Sequence, residues 1–120
     1  MILVFTSELN PNVIVKINQN EIYKGVANSR LELETPYEKG CLSVEMYNKV
    51  PVQQPDNKDM HIKLESIKFK DLELDENKIY QLYDPVANNI KTLYLGFNAP
   101  EKLEINIEHP YNRLIKRLAL

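Results

Sequence analysis

The sequence contains 17 carboxylate side chains, a residue type that can carry out acid–base chemistry. Such chemistry needs two carboxyl groups at a fixed separation in a cleft. The glutamates here alternate with apolar residues, and in a strand that alternation turns them away from the core. The pattern predicts solvated sheet faces for Glu32, Glu34, Glu45, Glu65, Glu73, Glu104 and Glu108. We therefore expect no catalytic residue among them and no enzymatic activity.

Cys41, His61 and His109 are the residues that a nucleophilic or zinc site would use. A single cysteine excludes an internal disulfide. A thiolate nucleophile needs a neighbouring histidine, and nothing in the sequence places either histidine beside Cys41. The three residues also lack the spacing of zinc ligands. We expect Cys41 to be a small, partly buried structural residue, and we expect no metal and no cofactor.

Three loops are rich in oxygen ligands of the kind that calcium prefers. Asp and Asn are also the commonest turn residues, and none of these loops matches a known calcium motif. The sequence therefore favours turn chemistry and leaves a calcium site between two loops as the alternative. The residues concerned are Asp56, Asn57 and Asp59, then Asp75, Glu76 and Asn77, then Asp84, Asn88 and Asn89.

Tyrosines offer a better indication of binding than the ionisable groups do. The chain has seven tyrosines, three phenylalanines and no tryptophan. A tyrosine ring stacks on the C–H face of a sugar, while neighbouring amides and carboxylates bind its hydroxyls. The candidate ligand-binding residues are Tyr80, Tyr83, Asp84, Asn88, Asn89 and Tyr94. A protein interface and purely structural tyrosines at a sheet edge are the alternatives.

The elements that must position these residues are β-strands. Apolar residues recur at every second position in Val13–Ile17, Leu42–Met46 and Leu103–Ile107. A period of two places alternate side chains on one face of a strand. Turn residues separate the segments at intervals of roughly 8–12 residues. The sequence therefore predicts an all-β fold, an antiparallel β-sandwich or jelly roll of about 8–10 strands.

Particular segments carry finer predictions. Leu31–Glu34 alternates in the manner of an edge strand, and the apolar phase shifts at Glu65–Ser66, which predicts a β-bulge or a bend. We expect a turn over Asp75–Asn77 and a strand over Ile79–Tyr83. The loop with two prolines near residues 51–59 does not separate domains, because each half has too few strands to bury a core alone. Residues 1–109 are thus predicted to form one β-sandwich domain.

Charge and hydropathy narrow the choice of partners. The formal net charge is −2, which creates no field that attracts nucleic acid or an anionic membrane. No apolar run is long enough to span a bilayer, and the opening apolar residues lack the basic leader of a signal peptide. We expect no nucleic-acid or membrane partner, and synthesis in the cytoplasm.

Residues 110–120 form a basic amphipathic tail that departs from the β period. Leu114, Ile115 and Leu118 recur at helical spacing among basic residues, which predicts a short C-terminal helix or an extended arm. A segment of this length is not stable as an isolated helix, so it must pack on its own sandwich, dock on a partner or be disordered. The candidate partner-binding residues are Arg113, Leu114, Ile115, Lys116, Arg117 and Leu118.

The second half of the chain resembles a known group of proteins. The stretches that carry the resemblance are Ile67-Lys68-Phe69-Lys70-Asp71-Leu72-Glu73-Leu74-Asp75, Tyr80, Tyr83-Asp84-Pro85 and Tyr94-Leu95-Gly96-Phe97-Asn98. Over residues 60–107 they are similar to small β-sandwich proteins of tailed bacteriophages, whose fold is like that of carbohydrate-binding modules. The resemblance implies a non-enzymatic module of a virion or one that binds a host surface.

These observations favour one function and leave two alternatives. The first expectation is a phage virion accessory protein, such as a decoration, fibre or tail-attached module, which contacts protein subunits of an oligomeric assembly. The second is a carbohydrate-binding module that recognises a cell-surface or polysaccharide glycan. The third is an intracellular inhibitor that acts through protein contact. The expected location is the virion or the cytoplasm.

Overall fold

The computed structural model describes residues 1–47, 60–70, 72–83, 93–95 and 102–109. These residues form nine β-strands and one helix, and the all-β sandwich is confirmed. The elements are β1 (Ile2–Glu8), β2 (Asn12–Ile17), β3 (Asn20–Val26), β4 (Arg30–Glu34), β5 (Gly40–Tyr47), β6 (His61–Phe69), β7 (Leu72–Asp75), α1 (Glu76–Leu82), β8 (Tyr94–Leu95) and β9 (Lys102–Ile107).

The strands form two antiparallel sheets. The first sheet has the order β4-β1-β6-β7, and β8 pairs with β6. The second sheet has the order β3-β2-β5-β9. The predicted edge segment Leu31–Glu34 is part of β4, which lies at the edge of the first sheet. Its charged side chains oppose edge-to-edge pairing with another chain.

Consecutive strands form long ribbons that cross between the sheets. The ribbon β1–β2 passes from the first sheet to the second, and β3–β4 returns beside it. On the other side of the β1–β2 ribbon, β5 pairs with β2 and β6 pairs with β1. The first ribbon is therefore central in both sheets.

One apolar cluster joins both sheets and both halves of the chain. It includes Leu3 and Phe5 from β1, Val15 from β2, Val44 from β5 and Ile105 from β9, all buried. Val15, Val44 and Ile105 come from the alternating segments of the sequence, where every second side chain points inward. The helix and the 93–95 segment contribute to the same cluster.

The predicted β-bulge is present in β6. Val4 pairs with Ser66 and Phe5 pairs with Leu64, so Glu65 is an extra residue without an opposite partner in β1. One inserted residue exchanges the faces of all later side chains. Ile62 and Leu64 are therefore buried before the bulge, and Ile67 and Phe69 are buried after it.

The predicted turn at Asp75–Asn77 and strand at Ile79–Tyr83 are wrong, since this segment contains helix α1. Asp75 is the N-cap residue, and its Oδ1 accepts a hydrogen bond from Lys78 N over 2.9 Å. An aspartate in this position satisfies one of the unpaired amides at the helix start. Ile79 and Tyr83 are four residues apart and fully buried, as on one side of a helix.

The turn between β2 and β3 is fixed by Asn18. Asn18 and Gln19 both have positive φ, 50° and 70°, as in a type I′ hairpin turn. The Asn18 side chain donates to Glu38 Oε1 over 3.1 Å and to Lys39 O over 3.0 Å, and its Oδ1 accepts from Cys41 N over 2.9 Å. These bonds attach the loop before β5 to the hairpin.

The predicted loop near residues 51–59 and the predicted tail of residues 110–120 lie outside the described residues. The boundary between the sandwich domain and the tail stays a prediction.

Candidate interaction surfaces

Tyr83, a candidate ligand-binding residue, lies in the core. Its side chain is fully buried. Its hydroxyl donates a hydrogen bond to the carbonyl oxygen of Glu108 over 2.5 Å. The expectation that this ring offers a face to a sugar is corrected, because a buried ring has no solvent-facing surface on which a ligand can stack.

Tyr80 is half-buried and packs against the core from α1. Its hydroxyl oxygen accepts a hydrogen bond from Leu93 N over 2.7 Å. The residue thus joins the helix to the segment that leads into β8. This bond gives Tyr80 a structural role whether or not its ring also meets a ligand.

Tyr94 differs from Tyr80 and Tyr83 because it lies in a strand, β8, where its side chain points to the face opposite its buried neighbours. Leu93 and Leu95 are buried, whereas Tyr94 is half-buried and pairs with Lys63 across β6. Its ring is tilted by 31° against the ring of His61, with centroids 4.7 Å apart. The Tyr94–His61 pair lies on the outer face of the first sheet, where Lys63 also pairs with Thr6.

The remaining predicted contact residues belong to parts of the chain outside the described residues. Asp84, Asn88 and Asn89 lie outside the described residues, and so do all six candidate partner-binding residues of the tail, Arg113, Leu114, Ile115, Lys116, Arg117 and Leu118. The ligand-binding set and the tail interface stay predictions.

An aromatic cluster closes one end of the sandwich. The Tyr37 ring lies edge-on to Phe69 at 5.7 Å and to His109 at 5.9 Å, and the rings of Phe69 and His109 are 4.9 Å apart. His109 N also donates to the Tyr37 hydroxyl over 2.8 Å. The cluster fastens the loop before β5 to the residues that follow β9.

Glu108 is the exception among the glutamates predicted on solvated faces. Glu32, Glu34, Glu45, Glu65, Glu73 and Glu104 are exposed as predicted, but Glu108 is only 8% exposed. Glu108 continues the alternation in the sequence, but β9 ends at Ile107, so the outward orientation of a strand position does not extend to it. Its carbonyl oxygen accepts a hydrogen bond from the Tyr83 hydroxyl. Its carboxylate lies 3.9 Å from Lys39 Nζ.

The outer face of the second sheet presents an ordered polar surface. Its register places two neighbouring rows across the four strands β3-β2-β5-β9. The Lys24 row consists of Lys24, Ile14, Glu45 and Lys102, and the Glu21 row consists of Glu21, Lys16, Ser43 and Glu104. We call these two rows together the charged face.

A shallow, open depression covers part of the charged face. The residues that line it are Ile14, Lys16, Asn18, Gln19, Cys41, Ser43, Glu45, Lys102 and Glu104. Of these lining residues only Ile14 is aliphatic. Small-molecule sites are typically enclosed and mostly apolar, whereas this depression is open and mostly polar. Sequence alternation could indicate which residues face outward, but only the strand order brings them into rows.

Ionic contacts on the two outer faces raise the pKa of two lysines. Lys102 Nζ lies 3.1 Å from Glu104 Oε1, and this hydrogen bond raises the pKa of Lys102. On the first sheet Lys63 Nζ lies 2.7 Å from Glu76 Oε2, and this hydrogen bond raises the pKa of Lys63. Both shifts favour the charged ammonium, as expected beside a carboxylate.

Cys41 lies on the outer face of β5 and is partly buried, as predicted. Partial burial raises the pKa of its thiol, and the negative charge of Glu104 raises it further. Nucleophilic cysteines need the opposite shift, because the thiolate is the reactive form. His61 belongs to β6 of the first sheet, whereas Cys41 belongs to β5 of the second, so the two residues are not on neighbouring strands.

Metal-binding clusters and membrane-spanning helices are both absent from the described residues. No group of three or more His, Cys, Asp or Glu side chains in that part of the chain is arranged to hold a metal ion. The described residues also contain no helix of the length and apolar character that crossing a membrane requires.

Comparison of the chain with protein-family models, with curated proteins and with solved structures gave no match in any of the three.

Proposed function

We propose that this chain is a non-enzymatic β-sandwich module that acts through protein–protein contacts as an accessory protein of a phage virion. In the virion it would serve as a decoration protein, a fibre component or a tail-attached module. The observation that carries the contact role is the charged face, where four adjacent strands present ordered rows of lysine and glutamate.

The shape and chemistry of that face support a macromolecular partner. Glu21, Lys24, Glu45, Lys102 and Glu104 are exposed. Such a surface binds by charge matching over a wide area, which gives specificity and rapid association. The resemblance of residues 60–107 to phage β-sandwich proteins supports the virion as the setting.

Association with particles is the direct test of this proposal. Virions produced by the organism that encodes the chain would be purified by density gradient, and their proteins would be quantified by mass spectrometry. We expect the chain in a fixed ratio to the major capsid or tail protein. Absence of the chain from intact purified particles would refute the virion role.

A second candidate function is carbohydrate binding, and the Tyr94–His61 pair favours it. Tyr94 is half-buried on an outer sheet face, beside the Lys63 and Thr6 pair that supplies polar side chains. A tyrosine with polar neighbours supplies both the ring face and the hydrogen bonds that a sugar requires.

A glycan screen tests this second candidate. Binding should be detected by saturation-transfer NMR with purified bacterial polysaccharides, and Tyr94→Ala should abolish it. Tyr47→Ala is the matched control, because Tyr47 lies on the outer face of the second sheet. Equal loss in both variants would place any glycan contact away from the Tyr94–His61 pair.

A further inference from the structure

The charged face is complementary to itself in a particular orientation. The Lys24 row carries two lysines and one glutamate, and the Glu21 row carries two glutamates and one lysine. The rows therefore have opposite net charge. The opposition also holds at both edges of the sheet, since Lys24 and Glu21 share β3 while Lys102 and Glu104 share β9.

We infer that the charged face is an interface with a second copy of this chain, related by a two-fold axis that runs across the strands between the Lys24 row and the Glu21 row. The inference rests on the proposed contact role and names the partner of this face.

The axis follows from the positions of the charges. Rotation about it lays the Lys24 row of one copy over the Glu21 row of the other. Lys24 then faces the second copy's Glu21, and Lys102 faces the second copy's Glu104. Each contact occurs twice by symmetry, so a dimer has four facing ion pairs. The contact is isologous, as in most homodimers.

The other face-to-face two-fold arrangement is electrostatically unfavourable. An axis parallel to the strands would lay β3 of one copy over β9 of the other. Lys24 would then face Lys102, and Glu21 would face Glu104. Like charges in direct opposition cost free energy and suppress the arrangement that contains them. The charge pattern therefore selects one of the two arrangements.

The centre of the face is compatible with the selected arrangement. Ile14 faces the second copy's Lys16, whose aliphatic stem covers apolar surface while its ammonium remains hydrated. Glu45 faces the second copy's Ser43. The second copy's Lys16 pairs with that Ser43 on the neighbouring strand and is therefore close to Glu45. Because the face has few apolar side chains, we expect a wet, salt-sensitive contact rather than an obligate dimer.

Charge reversal at Lys24 is the test. Sedimentation velocity and light scattering at low salt should give a concentration-dependent dimer of twice the 14.0 kDa chain mass. Lys24→Glu places two like-charge pairs in the dimer, so the dissociation constant should rise by about tenfold or more. The double variant Lys24→Glu/Glu21→Lys restores complementarity, and its dissociation constant should return to within about threefold of the original.

Lys68→Glu is the matched control. Lys68 is exposed in β6 of the first sheet, and the substitution changes net charge by the same amount as Lys24→Glu. It should leave dimerisation unchanged. A strictly monomeric protein at about 1 mM and 50 mM salt, where screening is weak, would overturn the inference. Equal weakening by Lys68→Glu, or no rescue in the double variant, would also overturn it.

The outcome separates this inference from the proposed function. A monomer that is nevertheless found on virions would refute the second copy as partner and leave the virion role intact. A dimer that is absent from virions would refute the virion role and leave the interface intact.

Discussion

The Tyr83 hydroxyl donates a hydrogen bond to the Glu108 carbonyl oxygen over 2.5 Å and links the residue after α1 to the end of β9. The two residues are 25 positions apart in sequence. The bond joins elements associated with different sheets, because α1 follows β7 of the first sheet whereas β9 belongs to the second.

Removal of this hydroxyl should destabilise the sandwich. Tyr83→Phe keeps the buried ring but deletes the hydrogen bond, and the free energy of unfolding should fall by about 1–2 kcal/mol. Urea unfolding followed by circular dichroism measures the change. Tyr47→Phe, on the outer face of β5, should change it by less than about 0.5 kcal/mol. Equal values for the two variants would contradict the role of the buried bond.

Gly40 should not tolerate a side chain. Its φ is +154°, and an added Cβ would lie 1.8 Å from Asn18 Oδ1, which is held by the hydrogen bond from Cys41 N. Gly40→Ala should lower the free energy of unfolding by about 2–4 kcal/mol through strain and steric overlap.

Gly25→Ala separates the two causes of that loss. Gly25 has the same φ of +154°, but its added Cβ would be 3.3 Å from the Tyr23 hydroxyl. Its cost should be smaller and should report mainly the backbone strain. In a double-mutant cycle with Asn18→Gly, Gly40→Ala should become less costly, because the overlapping atoms are gone. Simple additivity would rule out the overlap.

The N-cap of α1 should contribute measurably to stability. Asp75→Ala removes the bond to Lys78 N, and the expected loss in free energy of unfolding is about 0.5–2 kcal/mol. Asp75→Asn and Asp75→Ser should recover most of the loss, since both accept the same bond. Glu73→Ala, an exposed substitution in β7, is the control. A change at Asp75 no greater than at Glu73 would show that the cap is unimportant.

Cys41 should react slowly with alkylating reagents at neutral pH. Its raised pKa reduces the thiolate fraction relative to the urea-unfolded chain, so the rate constant with iodoacetamide should be lower in the folded protein. Glu104→Gln removes a negative charge that raises the pKa, so its alkylation profile should shift to lower pH. Lys102→Gln removes a positive charge and should shift the profile to higher pH.

The same shift sets the sign of a pH effect on stability. The folded-state pKa of Cys41 lies above its ordinary value of 9.0, so the folded chain retains a proton that the unfolded chain loses. The free energy of unfolding should therefore decline as pH rises past 9.0 and level off above the folded pKa. Cys41→Ser should lack this component. Identical pH profiles for the two proteins would contradict the shift.

The alternation of apolar residues predicted strands such as β2, β5 and β9, and its change of phase predicted the bulge in β6. The apolar positions change phase between Leu64 and Ile67, which indicates one inserted residue. The pairing of β6 with β1 shows the same insertion at Glu65. The periodicity also indicated that Tyr94 points away from its buried neighbours.

The helix was missed for a physical reason. Ile79 and Tyr83 are four residues apart, a spacing that suits both a strand of period two and a helix of period 3.6. Over so short a segment the two periods cannot be distinguished, and the aromatic and β-branched residues favoured a strand. Asp75 before a hydrophobic segment was the available signal for the helix start.

The charged face could be predicted only in part. Outward orientation of Glu45 and Glu104 follows from alternation within each strand. The pairing of β2 with β5 and of β5 with β9 does not, because the partners are separated by long stretches of chain. The Lys24 row and the Glu21 row depend on the register between paired strands, and that register exists only in the assembled sheet.

The central position of the β1–β2 ribbon has a consequence during translation. The partner on one edge of β1, strand β4, is synthesised first, whereas the partner on its other edge, strand β6, follows β1 by about 60 residues. At typical elongation rates this delay is about 3–12 s. Throughout that interval the backbone of a strand rich in Leu, Val and Phe is available to ribosome-associated chaperones or to a neighbouring nascent chain. We therefore expect the speed of the ribosome over residues 9–69 to influence how much of the protein reaches its native pairing.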